Sequence, residues 1–199
     1  MDLTQIAETI IDLKNADLAL REKLIQTGNL SNGYHEEMKE LHNRNAKILN
    51  DIIDSIGYPT INNVGKEACD SAWLVIQHSI GQPEFMKKCV KLLKNVVQKS
   101  QADPKNLAYL TDRIAVFEGK PQRYGTQFDW DENGNLSSNF FDDLIKVNER
   151  RKSIGLNTLE EQTAILRNQA KIENQSPPSD FEKRKQEMEA WKQDVGWTT

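Results

Sequence analysis

Two apolar runs, AWLVIQH (Ala72 to His78) and LAYLTDRIAVF (Leu107 to Phe117), the second followed by GKPQRYGTQF (Gly119 to Phe128), decide how this chain folds. They are the most apolar stretches of a hydrophilic chain, yet each carries a polar or charged group where burial is expected. From Leu107 to Phe117 only Asp112 and Arg113 are charged, which predicts a helix buried nearly all round, at the centre of its bundle. Neighbours in sequence point about 100° apart on a helix, so each of the two needs its own partner. His78 ends the other run beside Gln77. Asp112 placed near His78 would orient the imidazole for proton transfer, and Arg113 could hold a carboxylate or phosphate bidentately. The competing reading is a buried ion-pair network with no ligand.

Behind these runs, GKPQRYGTQF is irregular chain: Gly119 stops the helix, Pro121 prevents its resumption and Gly125 permits a sharp turn. Gln122, Tyr124, Thr126 and Gln127 become a polar rim. The segment lacks the spacing of a phosphate-binding loop or a dinucleotide fingerprint, and no cofactor is expected.

The bulk numbers narrow the class. A chain of 199 residues, 37% hydrophobic and 28% charged, suits a helical protein able to bury a core without disulfides. No run approaches about 18 apolar residues, so no membrane span is expected. A formal net charge of -4 argues against a nucleic-acid binder, whose affinity comes from basic side chains on phosphates. The opening MDLTQIAETI lacks the basic start of a secretory leader, which predicts a cytoplasmic protein. Cys69 and Cys89 are the only cysteines and read as reduced core thiols.

Working outward, the periodicity predicts a first helix over residues 2–27, with Asp2 and Gln5 as a capping box and Arg21 as a charge beside the apolar stripe. A second helix is predicted from Ser31 or Asn32 to Ile56. Asn45 interrupts its stripe, with Arg21 as the expected partner. His35 and His42 read as surface imidazoles, there is no HExxH, and no metal site is expected. Residues 57–65 form a loop before a third helix over 66–80; a fourth begins at Gln82-Pro83 and carries a solvated lysine face.

Beyond Phe128, residues 128–136 predict a hairpin turning at Asn133-Gly134. Asp129, Asp131 and Asn133 copy half of a calcium loop, but Phe140 stands where the bidentate glutamate belongs. Thr158 with Glu161 predicts one further capped helix, and Ser179 with Glu182 a last, charged one bearing Trp191, near Trp197. The expected architecture is all-α, an orthogonal helical bundle of about seven helices with one short β-hairpin. Residues 1–175 form a single domain, and 176–199 a charged helix and tail.

Taken together, GYPT, VGKEA, AWLVIQH, YLTDR, GKPQRYGTQ and NERRKSIGL resemble a family of bacterial proteins carrying a domain of unknown function, over roughly Arg21 to Leu159. Tyr58 stands where such proteins usually have tryptophan. The resemblance implies that the recurring polar positions are Arg21, Asn45, Gln77, His78, Asp112, Arg113, Gln122, Tyr124, Gln127 and Arg151, and implies no activity.

The expected function is a small enzyme using acid–base chemistry on a small polar or anionic substrate. His78, Asp112 and Arg113 are the catalytic candidates. Arg21, Asn45, Gln77, Gln122, Tyr124, Gln127 and Arg151 are the substrate-binding ones. No serine or cysteine motif supports a covalent mechanism. The alternative is a non-enzymatic binding protein, a ligand sensor or an immunity- or inhibitor-type partner of another protein, reached through the C-terminal tail.

Overall fold

The computed structural model describes residues 2–28 and 34–199. They form eight helices and one two-stranded antiparallel hairpin, so the chain is an all-α helical bundle with a hairpin attached. It divides into two compact units, 1–103 and 104–199. Among the described residues, no helix is long and apolar enough to cross a membrane.

The first unit holds α1 (Leu3–Gln26), α2 (Glu36–Ile56), α3 (Ile61–His78) and α4 (Pro83–Gln98). Asp2 caps α1 as expected: its carboxylate accepts from Gln5 N at 2.9 Å, and Gln5 Oε1 accepts from Asp2 N at 3.3 Å. The start expected for α2, at Ser31 or Asn32, lies outside the described residues. The described helix is capped by His35, whose Nδ1 accepts from Glu37 N at 3.2 Å, and it ends at Gly57 with φ 77°. The loop predicted over 57–65 is partly helical. Thr60 starts a turn in which Asn63 Oδ1 takes both the amide and the hydroxyl of Thr60, and Gly65, at φ 80°, breaks that turn from the rest of α3. Only glycine adopts such a φ without strain, so the predicted boundary survives as a kink.

α1 packs most extensively on α3, and α2 lies against both. Their facing stripes bury Ile6, Ile10, Leu13 and Leu24; Met38, Leu41, Leu49 and Ile52; and Ala68, Ala72, Val75 and Ile76. α4 closes the unit with Phe85, Met86, Cys89 and Leu93. Cys69 and Cys89 are free and buried, and burial pushes the Cys89 thiol up to about 12.

The second unit holds α5 (Pro104–Phe117), β1 (Phe128–Trp130), β2 (Leu136–Ser138), α6 (Leu144–Ser153), α7 (Leu159–Ile172) and α8 (Phe181–Asp194). Along α5 Ala108, Leu110, Asp112 and Ile114 are buried and the other residues from 105 to 118 are half-buried, so the helix is less enclosed than its apolar sequence predicts. The hairpin pairs Trp130 with Leu136 and Phe128 with Ser138, so its second strand runs beyond the predicted end. Asp131 organises the turn: Oδ1 accepts from Asn133 N and Asn135 N, and Oδ2 from the Ser137 hydroxyl. Asp129 is held by both terminal nitrogens of Arg184, at 2.8 and 3.0 Å. Two of the three calcium-like side chains are thus committed to the fold.

Thr158 and Glu161 form the predicted capping box of α7, while α8 is capped by Asp180, through Lys183 N, rather than by Ser179. Trp197 is buried and stacks on Phe117 at 5.0 Å, and Trp191 meets the same ring edge-on at 5.5 Å. The tail is therefore fastened to the end of α5.

Candidate functional site

The polar centre of the first unit is built on Asp17, which is not among the site residues expected from the sequence. Asp17 occupies the apolar stripe of α1 between Leu13 and Leu24 and is 1% exposed. Its Oδ2 lies 2.8 Å from His78 Nδ1 on α3 and 3.3 Å from His42 Nε2 on α2. The first contact is a hydrogen bond. The second falls short of hydrogen-bond geometry, and among the described residues His42 Nε2 and Asp17 Oδ1 are buried without a hydrogen-bond partner. On its far side, His42 Nδ1 meets the Tyr34 hydroxyl at 2.7 Å. The two imidazole rings stand 5.3 Å apart.

Electrostatics keep this carboxylate charged. Burial by itself raises its pKa, but contacts from His42 and His78 outweigh burial and hold Asp17 at about 2. Burial, with the Asp17 charge next, pushes the Tyr34 hydroxyl up, so it stays protonated. The partner of the His78 imidazole is therefore Asp17, not Asp112. With its Nδ1–H donated to Asp17, His78 has its lone pair on Nε2, and its side chain is 29% exposed. That arrangement can accept and return a proton at Nε2 of a partly exposed ring.

His42 was expected at the surface and is instead 7% exposed. Asn45, paired in expectation with Arg21, is buried and donates Nδ2–H to the Leu13 carbonyl at 3.1 Å; Arg21 is exposed on α1. Gln77 is buried beside His78.

The remaining candidates lie in the second unit, where most of them hold one loop in place. Asp112 is 0% exposed and its oxygens accept from the amides of Arg123, Tyr124 and Thr126 and from the Thr126 hydroxyl. Burial pushes its carboxyl up, against those donors, which favour the anion. Gln122, also 0% exposed, ties Gln127 N with its Oε1 and the carbonyls of Gln127 and Asn139 with its Nε2. Arg151 donates to the carbonyls of Tyr124 and Asn157 at 2.8 and 2.6 Å. These three side chains do for the loop what a sheet does for a strand: they satisfy backbone groups that burial would otherwise orphan. Arg113 is half-buried and donates Nε–H to Gln127 Oε1 at 3.1 Å; burial lowers its pKa. Tyr124 is half-buried on the same loop.

Neither the groove between α1 and α2, which includes Leu20, Glu37 and Arg44, nor the one along α6 and α7, which includes Ile145 and Glu161, is lined by any of these side chains. The signal for Asp17 and His42 was available in the helical period. Positions 10, 13, 17 and 24 of α1 share a stripe, as do 38, 42, 45, 49 and 52 of α2, and a polar residue inside such a stripe is a buried one.

The model of a family of unknown function, DUF6624, matches residues 2–173. No curated protein and no solved structure matches the chain.

Proposed function

We propose, for a chain that belongs to DUF6624, a family of unknown function, the activity of a small enzyme that moves protons on a small polar or anionic substrate inside the cell. The observation that carries this reading is the 2.8 Å hydrogen bond between His78 Nδ1 and the buried Asp17 carboxylate. A buried carboxylate fixes both the tautomer and the tilt of an imidazole, and it stabilises the imidazolium formed when Nε2 takes a proton. His78 is the base and then the acid; Asp17 is its positioning residue, with His42 Nε2 3.3 Å from the same carboxylate oxygen.

In the second unit the reading gives Arg113 the role of an anion-binding group, because a guanidinium suits carboxylates and phosphates bidentately. Asp112, Gln122 and Arg151 act there through the loop they brace, which carries Tyr124 and Gln127.

A panel of small esters, phosphomonoesters, amides and carboxylates tests the proposal, with turnover measured for the wild type and for His78→Gln. Proton transfer by a positioned side chain contributes about 10²–10⁴-fold. The expected result is turnover of at least one class by the wild type and a loss in that range in His78→Gln, at an unchanged melting temperature. Turnover indifferent to His78→Gln, or ligand binding without turnover by the wild type, overturns it, the latter in favour of a binding protein.

A further inference from the structure

Asp17 and His42, 3.3 Å apart through Asp17 Oδ2 and His42 Nε2, each bury a polar atom without a hydrogen-bond partner among the described residues. The atoms are Asp17 Oδ1 and His42 Nε2, on side chains only 1% and 7% exposed. An unmet buried donor or acceptor costs about 1–3 kcal/mol, and proteins keep such atoms where something else fills the gap. One ligand atom from each of Asp17, His42 and His78 lies within 4.8 Å of the other two. The separations, 2.8 Å from Asp17 Oδ2 to His78 Nδ1 and 3.3 Å to His42 Nε2, approach those of atoms sharing one ion at bonds of about 2.0–2.2 Å.

We propose that Asp17, His42 and His78 form a two-histidine, one-carboxylate site for a divalent transition metal of the zinc, cobalt or iron class. The proposal rests on the reading that these residues are the working centre, and it names the cofactor of that centre. Imidazole nitrogen with one carboxylate oxygen suits these ions better than magnesium or calcium, which prefer oxygen throughout. Tyr34 completes the arrangement. For His42 to ligate through Nε2 its Nδ1 must carry the proton, and the Tyr34 oxygen 2.7 Å away is placed to accept it. Three protein ligands leave at least one coordination position open to water or substrate. Binding displaces the proton that His78 Nδ1 shares with Asp17, so uptake of the ion releases protons to solvent. Held by Asp17, His42 and His78, the ion would supply a bound water of lowered pKa as the proton acceptor, and the class of reaction would stay the same.

The test uses the full chain, stripped by a chelator and titrated calorimetrically with Zn2+, Co2+ and Mg2+. One equivalent of Zn2+ or Co2+, little Mg2+, and a visible Co2+ absorption band are expected. Asp17→Asn and His42→Gln should each weaken binding by at least about 100-fold, and Tyr34→Phe by about 10-fold, in line with the effect of an outer partner; His35→Ala should change nothing. Absence of stoichiometric Zn2+ or Co2+ binding by the wild type, or affinity unmoved by Asp17→Asn and His42→Gln, overturns the site. Should those two variants fail to fold, unchanged affinity in Tyr34→Phe overturns it instead. Stoichiometric metal binding with no turnover on the substrate panel supports the site and sinks the acid–base activity. Turnover by metal-stripped protein that is lost in His78→Gln, with no metal bound on titration, does the opposite.

Discussion

Asp112 and Asp17 are both buried carboxylates, and their surroundings give them different work. Every donor on Asp112 belongs to the 123–126 loop, three of them backbone amides. Removing the carboxylate orphans all of them at once. Asp112→Ala is therefore expected to lower the stability of the second unit by about 3 kcal/mol or more, read from urea denaturation. Asp112 was legible as a buried acid because it lies in the most apolar helix; its partners were not, because amide donors leave no mark in a side-chain pattern. Asp17 is the reverse case. Its place in the stripe of α1, one turn from Leu13, was visible, but the polar role was expected of Arg21, which is exposed. His42 was expected at the surface, although it shares the buried stripe of α2 with Met38, Asn45 and Leu49.

At the scale of the elements, helix ends were the most legible feature, because a cap is a local transaction between neighbours. The boxes Asp2–Gln5 and Thr158–Glu161 stand as read. What the local pattern could not carry was the packing of the irregular segments. Gly125 has φ 60°, and a Cβ there would come within 2.8 Å of Leu159 Cδ1. Gly125→Ala combines left-handed strain with a clash against α7 and should cost about 1–3 kcal/mol, measured by chemical denaturation. α8 makes a second case. It is strongly charged and holds its place through Trp197 and Trp191 on Phe117, and through Arg184 on Asp129. Trp197→Ala should remove about 3 kcal/mol of packing. Faster amide exchange across 181–194 and faster proteolysis within 174–180, with α1 to α3 unchanged, are the expected signs.

For the whole molecule, the main fact is that two buried sets serve two units. The imidazole–carboxylate centre is built from α1, α2 and α3 in the first unit, and the amide-rich loop is braced within 104–199. The boundary at Asp103–Pro104 has no glycine- or serine-rich linker to announce it, whereas the Pro-containing stretch 174–179 separates α7 from α8 inside one unit. Composition marks where a chain is irregular, and contact decides where it divides. Regions with separate cores open separately. Asp112→Ala should therefore raise amide exchange in α5 to α7 while leaving α1 to α3 protected, read peptide by peptide.

Asp17, His42 and His78 each come from a different helix, so their meeting point depends on the phase of all three. Deleting a single residue between Leu13 and Asp17 would swing that carboxylate by about 100°, leaving the two imidazoles facing hydrocarbon. Changes of length in this half of the chain are tolerable only in the connections between α1, α2 and α3, and within the helices only exchanges of one side chain for another keep the centre whole.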